Sequence, residues 1–152
     1  MNMNTRTRPK MEAIRVPRLV KTEDMNHHGN LYAGRMAEWF VEACYLCAVQ
    51  APALPGAMVC LKIHDLVIKK PCPGGETICL ETRIAKAGSS SLTVYGKIVS
   101  HAGRRFHAEG YVTFVCVDKQ DRPTAHRLRL PRAAGAEERA IRRRAAALKL
   151  KG

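Results

Sequence analysis

Asn26-His27-His28-Gly29-Asn30-Leu31-Tyr32-Ala33-Gly34-Arg35-Met36-Ala37-Glu38-Trp39-Phe40-Val41-Glu42 runs from a polar, titratable loop straight into an apolar helix. From about Leu31 to Gln50 the residues Met36, Phe40, Ala43 and Cys47 recur at spacings of four, three and four, the mark of one helical face. Ala51-Pro52-Ala53-Leu54-Pro55-Gly56 stops that helix. A stable fold has no need for two adjacent histidines beside an asparagine and a glycine. The first N–H groups of a helix lack partners within it and suit a developing negative charge. Glu38 and Glu42 stand one turn apart and share a face. The stretch reads as one long helix with a chemical site at its start.

Downstream, Met58 to Asp118 reads as strands. Met58 to Ile68 is apolar and β-branched, and Lys69-Lys70-Pro71-Cys72-Pro73-Gly74-Gly75-Glu76 is a turn. Ile78, Leu80, Thr82 and Ile84 then alternate with Cys79, Glu81, Arg83 and Ala85. Beyond Ala87-Gly88-Ser89-Ser90, residues Leu92, Val94, Gly96 and Ile98 form the next alternating set. After His101-Ala102-Gly103-Arg104-Arg105, one face carries Phe106, Ala108, Gly110, Val112, Phe114 and Cys116. Upstream, Met11 to Val20 supplies a short leading strand whose length Pro17 limits. Long strands joined by short turns make an antiparallel meander covered on one face by the helix. The fold class is α+β, with five or six strands. The chain divides into a basic arm (1–12), one domain (13–131) and a basic, helical tail (132–152).

With 152 residues, 46% hydrophobic and 26% charged, the chain has room for a single core. No apolar run reaches the roughly 18 residues that span a bilayer, and the basic N-terminus lacks the apolar stretch of a secretory signal. A cytoplasmic protein is expected, with a mitochondrial presequence as the minor reading. The net charge of +13 is concentrated near the C-terminus: Arg122 to Lys151 holds ten basic residues against Glu137 and Glu138. Such charge favours polyanionic partners or is simply a solvated helical face. The tail has no aromatic residue for base stacking, so nucleic acid is not expected as a partner. Cys44 and Cys47 form a C-x-x-C inside an apolar helical run with no second pair, so six cysteines read as core packing and no metal is expected.

One central helix wrapped by a long-stranded antiparallel sheet resembles the hot dog fold, and four motifs sharpen the resemblance. Asn26 to Gly34 looks like the Asn/Asp-x-x-Gly-x-x-x-Gly-Gly loop of hot dog acyl-CoA thioesterases. Lys69 to Glu76 is similar to their Pro-x-x-x-Gly-Asp connection, and Ala87 to Leu92 to their Gly-Arg-Ser-Ser turn. Thr113-Phe114-Val115-Cys116-Val117-Asp118 resembles their final Thr-Phe-Val-x-Val-Asp strand. The match spans roughly residues 15 to 131, in order.

The resemblance implies hydrolysis of an acyl-CoA thioester to free acid and CoA, with no cofactor beyond the CoA of the substrate. That chemistry needs a group to activate water and a clamp on the thioester oxygen. Backbone amides at Gly34 and Arg35 are the expected clamp. Asn26 positions water or polarises the carbonyl, unless it is only a turn residue. In related enzymes the helical carboxylate aligns with Val41, which cannot act as a base; Glu42 is the expected substitute and Glu38 the second choice, with salt bridges, for example to Arg35, as the plain alternative. His28 binds the carbonyl or is an ordinary loop histidine. Lys69, Lys70, Arg35 and Arg83 are candidates for the CoA phosphates, and Gly88, Ser90 and Ser91 for the pantetheine or phosphate; Arg83, pointing away from the helix, also reads as merely solvated. An open sheet edge implies a homo-oligomer, at least a dimer, with a tetramer or hexamer also fitting. Two other readings stay open: a hot dog hydratase or dehydratase using His28 and Glu42, and a non-catalytic acyl-CoA sensor binding nucleic acid through its tail.

Overall fold

In a computed structural model of the chain, residues 13–150 are described; the arm at 1–12 lies outside them. Five strands, β1 (Ile14–Leu19), β2 (Ala57–Ile68), β3 (Thr77–Ala87), β4 (Ser91–Ser100) and β5 (Phe106–Val117), form one sheet. Their order is β1-β3-β4-β5-β2, and every neighbouring pair is antiparallel. Helix α1 (Ala33–Val49) lies on one face of this sheet. This is the expected hot dog arrangement, with five strands.

The alternation read from sequence sets the core. Ile78, Leu80 and Ile84 of β3, Leu92, Val94 and Ile98 of β4, and Ala108, Val112, Phe114 and Cys116 of β5 pack beneath Met36, Trp39, Phe40, Ala43, Cys44, Cys47 and Ala48 of α1. One contact seats the helix. Gly96 and Gly110 are paired across β4 and β5, and the Phe40 ring lies over both. A Cβ at Gly96 would come within 2.6 Å of that ring, so a larger residue here would lift α1 off the sheet. Pro17 sits in β1, an edge strand, where a missing N–H costs least.

The opposite face is also covered. Within the tail, α2 (Ala136–Ala147) packs Ile141 and Ala145 onto Ala85, Tyr95 and Tyr111, and the Tyr111 hydroxyl donates to the Ile141 carbonyl at 3.2 Å. None of the helices among the described residues is long and apolar enough to cross a membrane.

The β2 edge differs from the rest of the sheet. Two bulges interrupt its pairing with β5, and Val59, Leu61, Ile63, Val67 and Ile68 are all about half exposed. Tyr45, Leu46 and Val49 of α1 are exposed as well. All six cysteines are free; Cys44, Cys47, Cys72 and Cys116 are buried, while Cys60 on β2 is exposed. Burial pushes the Cys72 thiol up to about 12, with the Glu76 charge adding to the effect.

Candidate active site

The Asn26 loop is a tight turn closed by its own asparagine. The Asn26 Oδ1 accepts the His28 and Asn30 amides at 3.0 and 3.1 Å, and the Asn26 amide donates to the Asn30 carbonyl at 2.7 Å. Gly29 takes φ +75°, which a side chain would strain. The turn is docked on the β2–β3 connection: Leu31 N–H donates to Cys72 O at 2.7 Å and Gly74 N–H to Gly29 O at 2.9 Å. Asn26 is therefore a turn-former through its side-chain oxygen, while its side-chain nitrogen Nδ2 has no partner among the described residues. His27 and His28 lie outside, exposed, with ring centroids 4.0 Å apart.

Helix α1 starts immediately beyond. Tyr32, the N-cap, is extended and offers no side-chain cap; its own amide donates to Asp24 O at 2.8 Å. The first helical bond runs from Met36 N–H to Tyr32 O at 2.9 Å, which leaves the Ala33, Gly34 and Arg35 amides without backbone acceptors among the described residues. Three unspent donors at the positive end of a 17-residue helix form an anion-stabilising end.

A cavity of about 250 Å³ lies beside this helix start, lined by Asn26, Asn30, Leu31, Ala33 and Met36 on one side and Ile68, Lys69, Lys70 and Pro71 on the other. Asn26, Lys69 and Lys70, chosen from sequence for different reasons, meet here. The Lys69 ammonium is 3.2 Å from Glu109 and lies 4.9 Å from the Phe106 ring centre. Burial pushes the Glu109 carboxyl up, but hydrogen bonds from Tyr95 and Lys69 and the Arg144 charge outweigh it, and the net direction is down.

Glu42 and Glu38 are elsewhere. They line a larger crevice, about 520 Å³, between β1 and the other flank of α1, with Arg18, Lys21, Glu23, Asp24, Arg35 and Trp39. Every carboxylate there has a cation beside it, with Arg35 shared by two. Arg18 holds Glu42 at 2.7 Å and stacks over Trp39 at 5.0 Å, Arg35 holds Glu38 at 3.5 Å and Asp24 at 3.4 Å, and Lys21 holds Glu23 at 2.9 Å. Helical geometry explains the separation: at about 100° per residue, Glu42 is turned roughly 180° from Ala33 and Glu38 roughly 140°. Val41 is partly buried against the core.

The remaining candidates divide by position. Gly88, Ser90 and Ser91 form the β3–β4 turn at the far end of the sheet, where the Gly88 amide donates to Ser91 O and Ser90 O accepts the Cys116 amide. Arg83 is on the α2 face of β3, where its charge acts on Glu138. Gly34 is exposed; a Cβ there would meet only the movable Tyr32 ring.

Sequence reasoning missed three residues that build this region. Asp24 is buried and receives the Lys21 and Tyr32 amides as well as Arg35. His107 and Glu76 are bonded to each other behind Lys70. The available signal was a histidine on the outward-facing set of β5, next to Glu109 and Tyr111, which the alternation pattern treats as solvated.

Comparison with known proteins agrees with this architecture. An acyl-CoA thioester hydrolase of Bacillus subtilis (strain 168), YkhA, itself uncharacterised, is 23% identical over 124 residues, 76% of this chain and 71% of its own length. An apo-hexameric acyl-CoA thioesterase is 25% identical with a TM-score of 0.78, covering 89% of this chain and 86% of that one. An acyl-CoA hydrolase of Staphylococcus aureus, solved with butyryl coenzyme A, coenzyme A and coenzyme A disulfide, is 21% identical with a TM-score of 0.78, over 88% of this chain and 82% of its own. The S. aureus enzyme has also been solved as single alanine variants of an aspartate, an asparagine and a threonine. No protein-family model matches the chain. In sequence this protein is similar to an acyl-CoA thioester hydrolase, and in fold to hot dog acyl-CoA thioesterases.

Proposed function

We propose that this protein is an acyl-CoA thioesterase that hydrolyses acyl-CoA to free acid and CoA. The observation that carries the reading is the helix start: three unspent amides and the free Asn26 nitrogen beside a cavity walled by Lys69 and Lys70. In hydrolysis, water attacks the thioester carbon, negative charge develops on the carbonyl oxygen, and the thiolate of CoA leaves. The amides of Gly34 and Arg35 stabilise that oxygen, and the Asn26 N–H groups orient the carbonyl or the water. Lys69 and Lys70 supply positive charge for the phosphates of CoA. The similarity to acyl-CoA hydrolases in chain order and fold supports the same substrate class.

The base is assigned to Glu42, with Glu38 second. Both face away from the Asn26 cavity of their own chain, so this assignment requires a site composed from two protomers, Asn26 from one and the carboxylate from the other. The apolar β2 edge, with the exposed flank of α1, is the surface that supports homo-oligomer formation. Antiparallel pairing of β2 with a second β2 also brings the partner's far-end turn, Gly88 to Ser91, to the end that holds Lys69 and Lys70. Those serines thereby become available to CoA. His28, exposed beside the loop, is a secondary contact for the substrate carbonyl.

The test is thiol release from a series of acyl-CoA chain lengths. Turnover in the wild type, lost in Asn26→Ala, supports the reading. No thiol release from any chain length, or an absorbing enoyl thioester formed instead, overturns it in favour of binding alone or of dehydration.

A further inference from the structure

His107 has no solvent exposure, yet both of its ring nitrogens face acceptors. Nδ1 is 3.3 Å from the Lys70 carbonyl oxygen, and Nε2 is 3.0 Å from Glu76 Oε1. A carbonyl can only accept, so Nδ1 carries a hydrogen. Nε2 then either donates as imidazolium to a carboxylate or accepts from a protonated Glu76. In either state one proton is shared between the two residues. Without it, a bare nitrogen lone pair faces a carboxylate away from water.

The main chain shows what this pair supports. The His107 carbonyl accepts both the Lys69 and Lys70 amides, at 2.7 and 3.1 Å. Together with the ring it grips the Lys69–Lys70 backbone at three points. Glu76 is anchored in turn, its carbonyl accepting the Val20 amide at 2.9 Å. Lys69, Lys70 and Pro71 form one wall of the Asn26 cavity. We propose that His107 and Glu76 are positioning residues, a hydrogen-bonded strut that holds the Lys69–Lys70 wall in its substrate-binding place. The proposal rests on the thioesterase reading for its substrate.

The charged and titratable groups around the pair come from each packed element. Arg105 stands 3.6 Å from Glu76 Oε2, an oxygen that is buried with no hydrogen-bond partner among the described residues. Arg104 and His101 line the same outer hollow, which holds Glu76. Lys69, Lys70 and the Cys72 thiol belong to the β2–β3 connection, and Glu109 follows on β5. Arg105 alone cannot replace the proton, because it does not reach the Nε2–Oε1 contact.

Two variants of the full-length chain separate strut from scaffold. In Glu76→Gln the amide N–H donates to Nε2 while Nδ1–H still serves Lys70, so both bonds of the histidine ring survive. The expected result is a KM for acyl-CoA near the wild-type value. His107→Leu should raise KM about tenfold, the effect of roughly 1.4 kcal/mol of lost hydrogen bonding, with kcat within about twofold. Amide hydrogen exchange at Lys69 and Lys70 gives a readout that needs no turnover. It should accelerate in His107→Leu but not in Glu76→Gln. If His107→Leu unfolds, Glu76→Leu, which removes the Nε2 partner, takes its place with the same rise in KM and the same faster exchange expected. A KM raised as much in Glu76→Gln as in His107→Leu, or protected Lys69 and Lys70 amides in a folded His107→Leu, overturns the strut. A wild type that releases no thiol overturns the thioesterase reading, while the exchange measurement still judges the strut.

Discussion

Two hollows flank the first turns of α1, and they are opposites. The Asn26 cavity gathers donors: Ala33 at the helix start, the Asn26 side-chain nitrogen and two lysines, of which Lys69 also pairs with Glu109. The crevice on the β1 side is rich in carboxylates, each already matched to Arg18, Lys21 or Arg35. Thioester hydrolysis needs both kinds of group, a donor set for the oxyanion and a carboxylate for water. One protomer thus keeps the two halves on opposite faces of a single helix. Under the proposed function, donors from one copy and a carboxylate from another would complete the reaction centre.

The strongest attack on that contrast is to prevent assembly. Ile63→Lys, in the exposed apolar edge of β2, should yield monomers on size-exclusion chromatography and reduce thiol release to background; full activity in a monomer would mean that each chain holds a whole site. Next in size, Asn26→Ala should lower kcat by about 100-fold or more. Asn26→Asp keeps the acceptor that closes the turn and loses the donor, so it should fold normally and remain inactive. Glu42→Ala should cost about 100-fold in kcat. Mixing it with Asn26→Ala under conditions of subunit exchange should recover activity that neither parent has, and retention of near wild-type turnover by Glu42→Ala alone would remove it as base. Arg18→Ala is a smaller change. An exposed ion pair contributes about 0.2–1 kcal/mol, so chemical denaturation should show a loss within that range. Smallest of all, Gly34→Ala should leave the melting temperature nearly unchanged, since its new methyl meets only the exposed Tyr32 ring. Its effect should appear instead as a modest fall in kcat/KM.

The fold was largely legible before any coordinates. The alternation in 78–84, 92–98 and 106–116 assigned the inward faces, and the spacing from Met36 to Cys47 assigned the buried stripe of α1. Period-two and period-3.6 patterns are local, and burial enforces them on every turn and strand. The loop-to-helix junction was legible as a candidate site for a related reason: its polarity and glycines have no use in a core. His107 was not, because a single buried histidine leaves no period, and its two partners come from positions 70 and 76, joined to it only by the folded sheet.

Residue order alone thus settled which segments coil, which extend and where polar and titratable side chains cluster, since each depends on neighbours a few positions apart. Only the packed chain decided which candidates share a hollow. Glu42 follows Asn26 closely in sequence yet faces another crevice, because each helical step turns a side chain by about 100° and the sheet beneath fixes which direction opens toward the loop.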